Sequence, residues 1–355
     1  MKKLLLGNEA LAQGAIDAGI SGVYAYPGTP STEITEYIQR SKTATELKIH
    51  SKWSVNEKTA MEAALGMSYA GKRALTVMKH VGLNVAADVF MNMSVSGING
   101  GLVVVVADDP SMHSSQNEQD SRYYGKFAMI PILEPSTQQE CYEITKYAFE
   151  LSENLGLPVM IRLVTRLSHS RAGIETGNRK LQKELKLPKN PTQFQLIPMH
   201  ARGRYKHLVD IQPDILETSE NSNFNEFKKG ANTSIGIIAS GIAYNYLMEN
   251  FDGEECPYPI LKVSQYPIPK KPVKKLFDTC KKVLVLEDGY PFIEEAISDF
   301  LGENRKVIGR LSGDIPRVGE LNPDNIANAL GFDIVINETI PKVVTGRPPE
   351  LCVGC

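Results

Sequence analysis

Short apolar, β-branched runs alternate with stretches of helical periodicity through the first half of the chain. The spacing predicts a helix over Asn8–Ala18, with Asn8 as N-cap and Gly19 just beyond its end. A strand over Gly22–Tyr26 stops at Pro27, and a helix follows the turn Pro27–Ser31 to about Arg40. A second strand ends near Trp53 and leads into a helix from Asn56 to Ala70, closed by Gly71. Next come strand Ala74–Lys79, helix Asn84–Ser96 and the wholly apolar strand Leu102–Ala107. Ser136 to Gln139 has capping-box spacing and opens a helix to about Glu153, before strand Pro158–Val164. Strands separated by helices, one of them apolar throughout, indicate an α/β fold with a doubly wound parallel sheet. Ligands of such sheets sit at the carboxyl ends of the strands, which directs attention to the turns after Tyr26, Trp53, Lys79 and Ala107.

From about Arg171 to Asn232 the sequence is polar, proline-containing and without sustained period, so it reads as a long connection. A second, smaller α/β unit starts at Ser234–Gly241. Its further strands are predicted near Pro259–Val263, Val283–Glu287 and Lys306–Gly309, and its helices at about Phe292–Leu301 and Pro323–Leu330. The expected organisation is therefore 1–175, a linker 176–232, 233–340, and a short remainder 341–355. The Ser240-Gly241 turn lacks the Gly-x-Gly-x-x-Gly spacing of a dinucleotide site.

Composition changes this picture little. Of the 355 residues 42% are hydrophobic and 23% charged, the balance of a globular protein. A formal net charge of −2 argues against nucleic acid or an anionic membrane surface as partner. No run approaches the ~18 apolar residues of a spanning helix. The apolar start Leu4-Leu5-Leu6 is cut off by Asn8 and Glu9, too early for a signal peptide, and a cytoplasmic location is expected. Cys141, Cys256 and Cys280 stand singly, whereas Cys352 and Cys355 form a Cys-x-x-Cys. Two thiols are half of the usual ligand set for zinc or an iron–sulfur cluster, so they make at most a partial metal site.

Candidate chemistry lies in the turns. Ser54 and Glu57 have the spacing of a capping box, which is one reading of Glu57. The other is a carboxyl projecting into the crevice at a strand-to-helix turn, with Ala60, Ala63, Ala64 and Gly66 allowing close helix approach. Pro27, Gly28 and Thr29 form a strand-ending turn. Lys79 and His80 follow an apolar strand just before Gly82. The loop from His113 to Arg122 concentrates amides, hydroxyls, acids and an arginine.

Five segments occur in one order: Tyr26-Pro27-Gly28-Thr29-Pro30-Ser31-Thr32, Ser54-Val55-Asn56-Glu57-Lys58, Met78-Lys79-His80-Val81-Gly82-Leu83-Asn84, the run Asp108 to Arg122, and the terminal Arg347 to Cys355. With Arg162 to Ser170, they resemble the alpha subunits of indolepyruvate:ferredoxin oxidoreductases, thiamine diphosphate enzymes, over nearly the whole chain. The resemblance implies a pyrimidine-binding domain of thiamine enzymes followed by a transketolase C-terminal-like domain. It implies Glu57 as the catalytic acid on the aminopyrimidine ring, with Pro27, Gly28, His80 and Gly82 beside the cofactor. Thr29 and Arg122 are then expected at the substrate, Arg122 because a planar fork suits a carboxylate.

In the family the Cys352/Cys355 motif opens the domain that holds the diphosphate and magnesium. The chain is therefore expected to be truncated and to lack those ligands. The complete enzyme would oxidatively decarboxylate aryl pyruvates with coenzyme A and pass electrons through iron–sulfur clusters to ferredoxin, in oxygen-poor metabolism. A beta subunit and an oligomeric assembly are expected with it. The alternatives are a non-oxidative thiamine decarboxylase or a non-catalytic partner-binding fragment.

Overall fold

Seven strands form the main sheet, in the order Gln265–Tyr266, Ile132–Leu133, Val159–Val164, Leu102–Asp108, Ala74–Lys79, Gly22–Ala25, His50–Trp53. All neighbours are parallel except the first pair. This computed structural model describes residues 2–251, 253–298 and 306–334. The Leu102–Asp108 strand shows why the sheet is covered on both sides. Its Val103, Val105 and Ala107 enter one core with the helices Gly7–Asp17 and Gln138–Leu155. Its Leu102, Val104 and Val106 enter the other with the helices Glu57–Tyr69 and His80–Ser96. Alternate side chains thus face opposite layers, each full burial favouring the fold by roughly 1.5–3 kcal/mol. The protein is an α/β fold with a doubly wound sheet, as the pattern predicts.

Several boundaries differ from expectation. The first helix is Gly7–Asp17 with Leu6 as N-cap. Asn8 lies inside it and donates to Pro30 O and Glu33. Lys2–Leu6, the signal-like start, is a strand paired antiparallel with Arg171–Glu175. The connection contains two helices, Pro198–Asp210 and Gln212–Glu220. They escape the periodicity because they dock through few apolar residues, chiefly Leu208 and Ile215. Ile132–Leu133 and Gln265–Tyr266 are strands of two residues each, too short to show a pattern.

The second sheet runs Lys306–Ile308, Lys282–Leu286, Gly236–Ser240, Ile260–Val263, Glu226–Lys228, with only the last pair antiparallel. Immediately after Ile260–Val263 the chain crosses to the main sheet, where Tyr266 pairs with Ile132 and Gln265 with Leu133. Glu134 N–H donates to Ser264 O at 2.8 Å across this junction. Among the described residues no helix is long and apolar enough to cross a membrane.

Candidate active site

The carboxyl ends of the parallel strands gather the expected turns along one edge. Asn56 caps the Glu57–Tyr69 helix, its side chain accepting from Thr59 N at 2.9 Å. The Ser54/Glu57 capping box does not form, because Glu57 is the first residue of the helix. Freed from capping, the half-buried Glu57 carboxyl has no side-chain partner among the described residues. Burial raises its pKa above the usual carboxyl range. It lies directly against Gly82, where a Cβ would come within 2.5 Å of Glu57 Oε1. Gly82 is not in a turn as expected; it sits in the first turn of the His80–Ser96 helix, which begins four residues before the predicted Asn84. The sequence reading names both residues, and the structure adds that they touch.

Pro27, Gly28 and Thr29 follow strand Gly22–Ala25, which neighbours the strand leading to Glu57. Gly28 N–H donates to Thr32 Oγ1 and Ser31 Oγ donates to Gly28 O. The Lys79 side chain packs on Gly28, where an added Cβ would stand 3.3 Å from Lys79 Cβ. Pro27 and Thr29 are half-buried on this edge. Lys79 is buried and donates to Ser114 O at 2.9 Å. His80 is buried too, with Nε2 3.1 Å from Asn117 O and Nδ1 without a hydrogen-bond partner. Lys79 and His80 together hold the loop after Leu102–Asp108.

That loop is organised by Asp109, which the sequence reading did not single out. Its carboxylate accepts from Ser114 N, Ser115 Oγ and Thr165 Oγ1, and these bonds hold its pKa below the usual value against the cost of burial. An acid directly after a four-valine strand was the available signal.

Arg122 corrects an expectation. It is fully buried, and its guanidinium is enclosed by Asp120, Glu287, Tyr266 and the Tyr290 carbonyl. A substrate carboxylate has no access to it. Arg122 and Arg162 instead lie at the junction of the two units. Arg162 pairs with Asp108 at 2.6 Å and with Glu134, and donates to Asp288 O at 2.7 Å. Gly289, at φ +103°, lets that backbone approach, since a Cβ there would meet Arg162 Nη2 at 2.8 Å.

The pyrimidine end of thiamine diphosphate fits what is present: a half-buried acid of raised pKa, without a side-chain partner among the described residues, beside a glycine whose missing Cβ leaves room for that acid. Among the described residues no group of three or more His, Cys, Asp or Glu side chains is placed to hold a metal ion. Cys352 and Cys355 lie outside the described residues.

Comparison with known proteins identifies the family of the chain. The family described as pyruvate flavodoxin/ferredoxin oxidoreductase, thiamine diP-binding, matches residues 13–225. Indolepyruvate oxidoreductase subunit IorA of Methanothermobacter thermautotrophicus is 40% identical, covering 100% of this chain and 59% of that protein. IorA of Thermococcus kodakarensis is 41% identical, covering 99% of this chain and 57% of that protein. The chain thus spans less than two thirds of the length of these relatives. A solved structure of 2-oxoglutarate:ferredoxin oxidoreductase from Magnetococcus marinus shares the fold, with TM-score 0.70 at 18% identity, over 93% of this chain and 65% of that one. A split-gene transketolase does so less closely, with TM-score 0.57 at 14% identity, over 92% of this chain and 97% of that one. With a family match across more than half its length, the chain belongs to the thiamine diphosphate-binding family of pyruvate flavodoxin/ferredoxin oxidoreductases.

Proposed function

We propose that this chain provides the pyrimidine-binding part of an indolepyruvate:ferredoxin oxidoreductase, an enzyme that converts aryl pyruvates and coenzyme A to aryl-acetyl-CoA. Similarity along the whole of this chain to proteins named as IorA subunits supports the substrate class. In this reading a second subunit, magnesium, iron–sulfur clusters and ferredoxin complete the reaction, and residues 1–175 and 233–340 act as two modules. The observation that carries the reading is the Glu57 carboxyl, half-buried against Gly82 and without a side-chain partner among the described residues.

Thiamine diphosphate, when bound, supplies the electron sink for loss of CO2 from a 2-oxoacid. Glu57 would share its proton with a ring nitrogen of the cofactor, and burial, by raising its pKa, favours the protonated form. Help of this kind is worth about 10²–10⁴-fold in rate. Gly28, Pro27 and His80 would shape the wall beside the ring, His80 through its hold on Asn117. The Thr29 hydroxyl, on the turn next to Glu57's strand, would donate to the substrate.

The test is ferredoxin reduction by the complete enzyme supplied with indolepyruvate and coenzyme A. Activity in the native protein that falls by about 10²-fold or more in Glu57→Gln is expected. Release of an aldehyde without electron transfer, or near-normal turnover in Glu57→Gln, would overturn the reading.

A further inference from the structure

A cavity of about 590 Å³ opens at the edge of the main sheet opposite Glu57, beside the two-residue strands Ile132–Leu133 and Gln265–Tyr266. This is the size of an ordinary small-molecule site. It lies in the seam between the two sheets, apart from the site above. Ile130, Ile132, Val273, Phe292 and Ile297 make most of its wall apolar, and Tyr266 lines it too. The aromatic walls are fixed from behind. Tyr266 donates to Glu134 Oε2 at 2.6 Å, and the Arg122 guanidinium lies 5.0 Å from the Phe292 ring centroid. A wall already held in place spares a ligand the cost of ordering it.

The charges around the cavity are Lys126, Lys270 and Glu295. Glu295 already accepts the Tyr123 hydroxyl at 2.6 Å. The exposed Lys126 ammonium stands 5.7 Å from the Phe292 ring centroid and makes no ion pair among the described residues. Lys126 therefore sets an ammonium without an ion pair among the described residues at the mouth of an apolar interior. We propose that this cavity binds a monocarboxylate with an apolar tail, the tail against Phe292 and Tyr266 and the carboxylate at Lys126. Such a ligand bridges the first unit, through Ile130 and Lys126, to the second, through Val273 and Phe292. It leaves the Glu57 edge free, so its binding would be simultaneous with that of the cofactor.

Decanoate is a suitable probe, titrated calorimetrically into the full chain below its micelle concentration. Binding of one molecule with a dissociation constant of about 10–100 µM is expected. The decyltrimethylammonium cation, with the same tail and the opposite charge, should bind at least about tenfold more weakly. Lys126→Glu, an exposed substitution that leaves the core intact, should weaken decanoate by at least about tenfold. Ala296→Trp should fill the space and remove binding of both, with circular dichroism checking its fold. Absence of decanoate binding at millimolar concentration overturns the proposal. So does equal affinity for the two probes, or an unchanged affinity in Lys126→Glu.

Discussion

Glu57 occupies the space that a side chain at residue 82 would need, and this makes Gly82 a direct probe of the site. Alanine favours a helix over glycine by about 1 kcal/mol, and the atoms in its way, Glu57 Oε1, Cγ and Cδ, all belong to one flexible side chain that can turn aside. Gly82→Ala should therefore keep or slightly raise the melting temperature while turnover of the complete enzyme falls at least about tenfold. Combined with Glu57→Gln it should cost little more than Glu57→Gln alone, because both act through one carboxyl. Full activity in Gly82→Ala would show that the carboxyl need not stay where it is. Glu57 and Gly82 were both legible in the sequence through their motifs, yet their contact was not, since it joins two helices packed in space. Arg122 was misread for the same reason. In a polar loop it looks solvated, and what buries it, Glu134, Tyr266 and Glu287, is distant in sequence.

At the level of elements, the start of the Glu57–Tyr69 helix distinguishes two caps. Asn56→Ala removes the acceptor for Thr59 N and should cost about 1 kcal/mol in urea unfolding. Ser54→Ala should change stability by no more than about 0.5 kcal/mol, because Ser54 is outside the cap. The opposite ranking would restore the capping box. The long strands were readable because both faces are buried and the apolar run is continuous, as in Leu102–Asp108. Helix starts were less readable. Gly82 suggested a turn and delayed the predicted start to Asn84, whereas its lack of a side chain serves packing. The Thr137 cap likewise stands one residue beyond the predicted Ser136, with Glu140 accepting from Ser136 N.

Across the whole molecule, the junction of the units gathers Asp108, Asp120, Glu134, Glu287 and Asp288 around Arg122, Arg162 and Arg310. Five acids facing three guanidiniums cannot all ionise cheaply in a dry environment, so some retain protons. Burial pushes Glu287 up to about 7 and Asp288 to about 6, and raises Asp108, while Arg122 and Arg162 beside Asp120 hold it at about 2. For Glu287 and Asp288 the folded pKa is raised, so their contribution is complete below the usual carboxyl range and is lost as pH rises to about 7. For Asp120 the folded pKa is depressed, so its contribution is lost as pH falls to about 2. From these groups thermal melts should therefore be highest near pH 4 and decline on both sides, toward pH 7 and toward pH 2. Glu287→Gln should melt lower throughout, since Arg122 loses a partner, but with a flatter decline toward pH 8. An unchanged slope would remove Glu287 from the account. The α/β class was legible from the alternation of elements, but this junction was not, because no local pattern marks a charge that pairs across sheets.

The crossing of Gln265–Tyr266 into the main sheet also sets a timetable for synthesis. Tyr266 is translated 132 residues after the Glu134 it bonds, which at about 5–20 residues per second is a wait of roughly 7–26 s. From the time Val159–Val164 is made until Tyr266 follows, the nascent sheet ends on the bare edge of Ile132–Leu133, and Arg122 lacks its Glu287 and Tyr266 partners. An open edge of this kind invites pairing with a neighbouring nascent chain. Ribosomes spaced closely on one message would bring such edges together, so slower initiation, or a chaperone that shelters the edge, should raise the yield of folded protein.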